Sequence, residues 1–333
     1  MPRVDRSRPM PVKYWSSAGL VLTYNCTAAC ASCYLGCSPR GDESIDVETA
    51  LEHWRQLAAA SPHRCRIHLT GGEPFTDWPG LIDLCRRAQR EALRPLEKVE
   101  TNASWAQDEA VVAQRVRELD EAGMETLAIS ADPYHQQFVP IERCRLAARV
   151  AAALLGPARV QVRWRDWLDD GFDTAPMSGA DRVKLFARYA AGGRDRLSGR
   201  AAASLAAHLP LRDFSEFADK PCSEMLLRGR GVHVDPRGRI MPGTCAGLVL
   251  GVIGPHATVS DIWHALAQEL PDRAVLSRLC RGGPEELARY AMDLGFIPRQ
   301  GYCSKCHLCW DVRAFLHARG AGELEPAWMY DVI

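Results

Sequence analysis

Between about residues 18 and 200, short apolar runs alternate regularly with amphipathic helical patterns, and this alternation constrains the fold more than any other feature. Five runs read as strands and a sixth is weaker: 19–25, 65–72, 96–102, 125–130, 159–164 and 194–201. Strands that alternate with helices in this way form parallel βαβ units. Six units predict an α/β fold, a partial (β/α)6 barrel of the TIM type, with functional groups at the C-terminal ends of the strands.

Capping residues mark where the helices between the strands begin and end. Asp46 precedes apolar residues at helical spacing, and Asp77 precedes a helix with proline in its first turn. Gly123 follows another helical pattern and is expected to end it. The later helices of this region are expected at about 108–122, 140–155 and 180–191.

The pattern changes after about residue 210. Residues 231–242 predict a β-hairpin with its turn at 235–238, and a short helix is expected near 260–269. We therefore expect a small C-terminal domain made of a β-hairpin and helices. The expected organisation is an N-terminal extension, a barrel, a second domain and a tail, at 1–17, 18–210, 211–318 and 319–333.

Charge and hydropathy exclude several classes of partner. The 41 basic residues equal the 41 acidic ones, so broad binding to nucleic acid or to a membrane surface is not expected. The N-terminus has no apolar core typical of a secretory signal, and no run reaches the roughly 18 apolar residues of a membrane span. These features predict a soluble cytoplasmic protein.

The chain has 13 cysteines, which is unusual for a cytoplasmic protein. Clustered thiols in a reducing compartment more often bind metal or do redox chemistry than form disulfides. Cys26, Cys30, Cys33 and Cys37 form the first cluster. The second group comprises Cys222, Cys245, Cys303, Cys306 and Cys309. The others are scattered, and Cys85 and Cys144 lie in helical patterns that predict core positions.

Polar and glycine residues follow the predicted strands at the same end. They are Asn25 and Cys26, then 71–73, then Asn102, then 130–132. The carboxyl ends of barrel strands meet on one face, so these residues are expected to form one site.

Three thiolates from one loop leave the chemistry of the first cluster open. Structural zinc normally takes four protein ligands, and an iron–sulfur cubane also takes four. If Cys37 completes the set, the site is a closed electron carrier or a zinc knot. If it does not, one iron is open to another ligand. We expect Cys37 to be a buried or loop thiol rather than a ligand.

Cys26-x3-Cys30-x2-Cys33 after the first strand and Gly71-Gly72-Glu73-Pro74 after the second resemble the signatures of the radical SAM superfamily. In that family the three cysteines hold a 4Fe–4S cluster, and S-adenosylmethionine chelates the fourth iron. One electron cleaves the sulfonium, and the resulting 5′-deoxyadenosyl radical abstracts a hydrogen atom.

The resemblance also implies roles for residues that contact S-adenosylmethionine. Glu73 would accept a hydrogen bond from the methionine ammonium, while Asn102 and Ser130 would reach the ribose or the methionine moiety. Arg163 would meet the carboxylate. The family usually has an aromatic residue before the third cysteine, but this chain has Ser32 there and Tyr34 after it.

The second cysteine group resembles the SPASM and twitch extensions of radical SAM enzymes, which bind auxiliary 4Fe–4S clusters. Residues 250–263 and the hairpin before Cys245 carry this likeness. One ligand set would be Cys222, Cys245, Cys303 and Cys306, and another would use Cys309 in place of Cys222. A zinc ribbon fits the same spacing.

A few polar residues outside these motifs are candidates for substrate chemistry. Asp132, Tyr134 and His135 follow the fourth strand and are expected to face the barrel mouth, where Asp132 or His135 would act as a base or a hydrogen-bond donor. A thiol that the auxiliary cluster leaves free, or Cys37, could donate a hydrogen atom to a product radical. His307 is expected to face solvent.

These observations predict a radical SAM enzyme with an auxiliary cluster and an electron donor of the flavodoxin or ferredoxin type. The preferred substrate is a residue of a peptide or protein, modified by crosslinking, epimerisation or oxidation. The alternatives are dehydrogenation of a small molecule and a non-catalytic iron–sulfur or zinc protein.

Overall fold

Eight strands form a single, mostly parallel sheet in the computed structural model, which describes residues 12–61, 65–93, 95–169, 173–174, 176–193 and 197–331. The sheet order is β5-β4-β3-β2-β1-β6-β7-β8. The strands are β1 Ser17–Val21, β2 Arg66–Thr70, β3 Leu96–Thr101, β4 Met124–Ser130, β5 Val160–Arg163, β6 Gly231–Val234, β7 Arg239–Pro242 and β8 Gly251–Val252. The six strands from β5 to β6 are parallel, which agrees with the expected partial barrel.

The first five predicted strands are confirmed, but the sixth prediction is wrong. Of residues 194–201, the first three lie outside the described residues, and the described part forms a bend that leads into a helix beginning at Arg200. Its alanine-rich sequence favours a helix over a strand. The sixth parallel strand is β6, which pairs with β1 from Ser17↔Gly231 to Leu20↔Val234.

The expected β-hairpin is confirmed, but it extends the barrel sheet. β6 and β7 pair antiparallel across a turn in which Gly238 adopts φ +76°. The hairpin therefore continues the sheet on the far side of β1, whereas the sequence assigned it to a separate C-terminal domain. β6 pairs directly with β1, the strand that precedes the loop with the N-terminal cysteines.

The helices between the strands begin at the predicted caps. Asp46 accepts a hydrogen bond from the Thr49 amide at 2.9 Å, and Asp77 accepts one from the Gly80 amide at 3.1 Å. The helices of the first half are α1 Val47–Ala60, α2 Trp78–Arg90, α3 Glu109–Glu121, α4 Ile141–Leu155, α5 Arg165–Asp169, α6 Gly179–Ala191 and α7 Arg200–Ser204.

The second half is mostly helical. Its helices are α8 Ser223–Leu226, α9 Val259–Glu269, α10 Ala274–Arg281, α11 Pro284–Asp293, α12 Lys305–His317 and α13 Ala327–Tyr330. Helix α12 carries Cys306 and Cys309, and α8 begins next to Cys222, so these short elements bring distant cysteines towards one another. No helix in the described ranges combines the length and apolarity needed to cross a membrane.

The strands present two different faces. Ile67 and Leu69 of β2 are fully buried among apolar side chains, while His68 and Thr70 point to the opposite face because side chains alternate along a strand. Gly19 of β1 lies beside His68 on that second face, where an added Cβ would come within 2.5 Å of the His68 ring. The inner face of the sheet is therefore polar, unlike the apolar interior of a closed barrel.

Candidate iron–sulfur and S-adenosylmethionine site

The loop after β1 folds back on itself and carries the first cysteine cluster. The Cys26 amide donates to the Ser38 carbonyl at 3.0 Å, and the Cys33 amide donates to the Cys30 carbonyl at 3.1 Å. Cys26 and Cys30 are buried, and all four thiols of the loop are free. The backbone thus fixes the three motif cysteines close to the C-terminal end of β1.

Arg200, the first residue of α7, holds this cysteine loop from the side. Its guanidinium donates to the Cys30 carbonyl at 3.0 Å, to the Gly36 carbonyl at 2.7 Å and to the Cys37 carbonyl. One planar cation thereby satisfies three loop carbonyls at once. The residue belongs to the segment in which the sequence predicted a sixth strand.

The two glycines after β2 allow the chain to lie directly against the cysteine loop. A Cβ on Gly71 would fall 2.4 Å from the Thr23 carbonyl oxygen, and one on Gly72 would fall 1.8 Å from the Asn25 carbonyl oxygen. Without a Cβ at these positions, the Gly72 amide donates to the Thr23 carbonyl at 2.7 Å, and the Glu73 amide donates to the Asn25 carbonyl at 2.9 Å. Only glycine fits this approach.

Glu73 lies behind the wall of the site and is only 1% exposed. Its carboxylate accepts hydrogen bonds from the Thr101 hydroxyl at 2.8 Å and from the Asn102 amide at 2.6 Å. Burial raises the pKa of Glu73 to about 7, although these donors act in the opposite direction. The carboxylate therefore fixes the end of β3, and its predicted contact with an ammonium group stays a prediction.

A cavity of about 240 Å³ opens at this end of the sheet. It brings together most of the residues predicted from the sequence, namely Cys26, Cys30, Cys33, Tyr34, Gly71, Gly72, Pro74, Asn102, Ser130, His135 and Arg163. Asn102 lies beside the thiols, with its amide 3.6 Å from Cys26 Sγ and 3.0 Å from Thr27 Oγ1. We name this space the upper cavity.

The sequence did not predict several further residues of the upper cavity, among them Thr70, Glu100, Thr101 and Trp164. Burial alone would raise the pKa of Glu100, but Lys98, His68 and the Thr70 hydroxyl outweigh it and lower the pKa to about 2. For Thr70 and Glu100 the signal was the polar side chains at alternate positions of β2 and β3.

The expectation that Asp132 and Tyr134 face the barrel mouth is wrong, because neither lines the upper cavity. Asp132 is 0% exposed and accepts from the amides of Tyr134 at 2.9 Å and His135 at 3.1 Å. This turn directs Tyr134 into a packed aromatic group with Phe186 and Tyr189.

His135 is held between Asp132 and the cysteine loop. Its Nδ1 contacts the Asp132 carboxylate, and its ring also hydrogen-bonds Cys30. Burial would lower the pKa of His135, but the negative charges of Asp132 and Cys30 raise it well above the usual range, and the pKa of Asp132 is lowered in turn. Of the two candidate acid–base residues, only His135 reaches the cavity.

Cys37 lies against Cys33. The hydrogen bond from Cys37 lowers the pKa of Cys33 to about 6, and Arg200 acts in the same direction. Cys37 is 3% exposed and lines the upper cavity, and its expected absence from the ligand set stays a prediction.

All five cysteines of the second group line one larger cavity of about 760 Å³, named here the rear cavity. Three cationic side chains also face it, those of Arg212, Lys305 and Arg313. Burial raises the pKa of Cys222 to about 11 and raises that of Cys309, and in both cases Cys245 and Cys306 raise it further.

The expectation that His307 faces solvent is wrong. Ser304 caps α12 and accepts a hydrogen bond from the His307 amide at 3.1 Å, which places His307 in the first turn with its ring turned inward. The ring is 6% exposed, and its Nδ1 lies 3.4 Å from Cys303 Sγ.

Among the described residues, no three His, Cys, Asp or Glu side chains are arranged to hold a single metal ion. A four-iron cluster does not need its ligands to converge on one ion, because each thiolate binds a separate iron. The three motif thiols around one cavity, with a polar wall of amide, hydroxyl and guanidinium groups opposite, fit a cluster and an amino-acid-bearing ligand.

Comparisons with known proteins agree with this arrangement. Residues 18–120 match the family described as a 4Fe-4S single cluster domain. The structure of BtrN in complex with AdoMet and 2-DOIA superposes with a TM-score of 0.50 at 16% identity, over 82% of this chain and 90% of that chain. The chain shares the fold of this structure.

Two other solved structures show a weaker likeness. The anSMEcpe structure with bound AdoMet and Cp18Cys peptide is 13% identical, with a TM-score of 0.44 over 91% of this chain and 97% of that chain. Streptococcus suis SuiB bound to S-adenosylmethionine is 12% identical, with a TM-score of 0.42 over 78% and 66%. No curated protein matches the chain.

Proposed function

We propose that this chain is a radical SAM enzyme that takes a hydrogen atom from an organic substrate. The observation that carries the proposal is the upper cavity, where three thiols from one loop face Asn102 and Arg163 across a space bordered by Gly71-Gly72. When bound there, a 4Fe–4S cluster with S-adenosylmethionine supplies an electron for sulfonium cleavage and a radical that abstracts hydrogen. The reductant would be a flavodoxin or a ferredoxin.

The residues of the chain hold and orient these groups. Cys26, Cys30 and Cys33 would bind three irons, and Arg200 keeps their loop in one conformation. Asn102 and Ser130 line the wall that would contact ribose or methionine, and Tyr34 would pack near the adenine. Glu73 fixes the Asn102 backbone and retains lone pairs for an ammonium group.

The rear cavity would hold the auxiliary 4Fe–4S cluster. Beyond the effect of burial, Cys245 and Cys306 raise the pKa values of Cys222 and Cys309, and Cys303 in turn raises that of Cys306. We assign Cys245, Cys303 and Cys306, which both sets suggested by the sequence share, as ligands, with Cys222 or Cys309 as the fourth. A cluster with four cysteine ligands favours electron transfer over substrate ligation.

The substrate was expected to be a peptide or protein residue, changed by crosslinking, epimerisation or oxidation, with small-molecule dehydrogenation as the alternative. Either substrate would sit between the two cysteine cavities. The dimensions and charge of the space between them bear on this choice.

Anaerobic reconstitution followed by iron and sulfide analysis tests the proposal. Two four-iron clusters predict about eight irons per chain. Reduction with dithionite in the presence of S-adenosylmethionine should then release 5′-deoxyadenosine and methionine, measured by mass spectrometry. The Cys26→Ala/Cys30→Ala/Cys33→Ala variant should lose about half of the iron and all of the cleavage.

One single variant serves as a control and another tests the rear cavity. Cys85→Ala replaces a buried helical thiol away from both cavities and should keep the iron and the cleavage. Cys245→Ala should lose the second cluster and keep the first. Zinc in place of iron, or iron without any cleavage, would instead favour the non-catalytic metal-binding alternative.

A further inference from the structure

A third cavity of about 310 Å³ lies between the two cysteine-lined cavities. It shares Tyr34, Glu100 and Arg163 with the upper cavity, and it shares Met225 and Thr244 with the rear cavity. We name it the middle cavity. Since its wall is continuous with both neighbours, a molecule within it borders both cysteine groups.

The polar inner face of the sheet forms the middle cavity. His68 of β2, Lys98 of β3 and His233 of β6 line it, and Gly19 of β1 leaves the space that two of these side chains occupy. A Cβ on Gly19 would fall 2.4 Å from the His233 ring and 2.5 Å from the His68 ring. Substituting this glycine would therefore displace the cavity wall.

The charges of the middle cavity do not balance. Lys98 and Glu100 pair with each other at 2.8 Å, and the Thr70 hydroxyl donates to Glu100 at 2.7 Å. Arg163 and Arg230, both exposed residues, also line the cavity, and neither guanidinium forms an ion pair with a carboxylate within the part of the chain that the structure describes. Two uncompensated cations that face one concave space favour an anionic ligand.

The size of the cavity restricts what can enter. Small-molecule sites begin at about 300 Å³, so the middle cavity fits a small molecule or one residue of a peptide. Arginine presents donors in a planar fork that suits carboxylate and phosphoryl oxygens. Arg163 also borders the upper cavity, where it could serve the methionine carboxylate, which leaves Arg230 as the cation specific to the middle cavity.

We propose that the middle cavity binds the substrate through an anionic group, a carboxylate or a phosphoryl group, held by Arg230. This rests on the proposed function and narrows it, because it assigns a small acid, or an acidic residue or C-terminus of a peptide, as the molecule that reacts. Neutral substrates of the same size lack the group that Arg230 would pair with.

Isothermal titration of the reconstituted, S-adenosylmethionine-saturated protein tests this, with malonate, inorganic phosphate and the neutral erythritol as separate probes. Saturation with the cofactor occupies any methionine carboxylate contact, so the remaining anion binding reports on the middle cavity. We expect malonate or phosphate, but not erythritol, to bind. Whichever anion binds identifies the group as a carboxylate or a phosphoryl.

Substitutions of Arg230 test whether the anion binds to its side chain. Arg230→Gln should weaken binding of the anion at least tenfold, and Arg230→Lys should restore part of it. Arg228→Gln is the matched control, because Arg228 lies two residues away, is 54% exposed and pairs with Glu224 outside the cavity. Circular dichroism checks that each variant is folded.

The proposal is overturned if neither anion binds, if erythritol binds equally well, or if Arg230→Gln and Arg228→Gln behave alike. Cleavage of S-adenosylmethionine by the wild-type protein is measured separately. If the protein cleaves the cofactor but binds no anion, the proposed function stands and this inference fails. If it binds the anion but does not cleave the cofactor, the proposed function fails although the anion site exists.

Discussion

At the scale of single residues, close approach of backbone to backbone shapes the upper cavity. Gly71 and Gly72 allow β2 to end against the cysteine loop, and Arg200 supports that loop through three carbonyl groups. None of these groups needs to react. They fix where the thiols lie, and small displacements of such supports are costly to a reaction that depends on position.

Gly72→Ala should disrupt the site. Its Cβ would lie 1.8 Å from the Asn25 carbonyl oxygen, and the backbone there cannot move without breaking the hydrogen bonds of the loop. We expect a loss of at least about 1–3 kcal/mol in the free energy of unfolding, together with poor iron retention. Urea titration and iron analysis measure the two effects.

Gly179→Ala is the matched control for this substitution. Gly179 opens α6, and nothing lies within 4 Å of an added Cβ. Alanine at a helical position should be neutral or stabilise by about 0.4–1 kcal/mol. Equal behaviour of the two variants would contradict the view that Gly72 is fixed by contact with the cysteine loop.

At the scale of secondary-structure elements, β3 carries an inward pair of opposite charges. Lys98 and Glu100 stand two residues apart on one face of the strand, and Thr70 of β2 donates to Glu100 from the side. An isolated carboxylate would be unstable in this position, and these partners keep it ionised.

The stability of the protein should therefore fall in acid partly through Glu100. Its pKa is about 2 in the folded chain, against about 4.3 in an unfolded chain. Because its pKa is lower in the folded chain, ionised Glu100 stabilises the folded state at pH values above about 4.3, the pKa of the unfolded chain. That contribution is lost as pH falls from about 4.3 towards 2. Urea titrations between about pH 5.5 and 3.5 should show a shallower fall for Glu100→Gln than for the wild type. An identical slope would contradict the assignment.

Local signals predicted the elements well where the neighbouring residues decide the structure. The structure confirms the predicted caps at Asp46 and Asp77, because capping depends on a few adjacent positions. Pairing between distant strands has no such signal. For that reason the sequence predicts β6 only as half of a hairpin, and the structure shows that it also pairs with β1.

The residues of the candidate site also fall into those that local sequence predicts and those that it does not. The cysteine motif and the glycines could be found by their spacing, and the structure places them around one cavity. Glu100 and the inward orientation of His307 depend on which face of a strand or helix points inward. Sequence alone does not fix that when a face is polar on the inside.

At the scale of the whole molecule, the C-terminal half is tied to the cysteine loop by a buried charged network. Arg239 of β7 pairs with Asp235 at 2.6 Å and with Glu43 at 2.6 Å, and Tyr24 donates to Asp235 at 3.1 Å. Tyr24 and Glu43 belong to the segment around the motif cysteines. The hairpin therefore supports the first cysteine group as well as bringing Cys245 to the second.

Arg239→Met should destabilise the whole chain. Removing one partner of a buried ion pair leaves Asp235 without its counter-charge, at a cost of about 3–5 kcal/mol in the free energy of unfolding. Arg237→Met is the control, since Arg237 is 69% exposed and should change stability by no more than about 0.5 kcal/mol. Thermal unfolding that leaves Arg239→Met equal to Arg237→Met would show that the network contributes little.

The central claim is that Cys26, Cys30 and Cys33 leave one iron of a four-iron cluster open to S-adenosylmethionine. Electron–nuclear double resonance of the reduced, reconstituted protein with S-adenosylmethionine carrying a ¹⁷O-labelled carboxylate tests it directly. We predict a hyperfine coupling between the labelled oxygen and the cluster that disappears in the variant lacking these three cysteines. A fully reduced cluster with no such coupling, its fourth iron held by a protein ligand, would contradict the account.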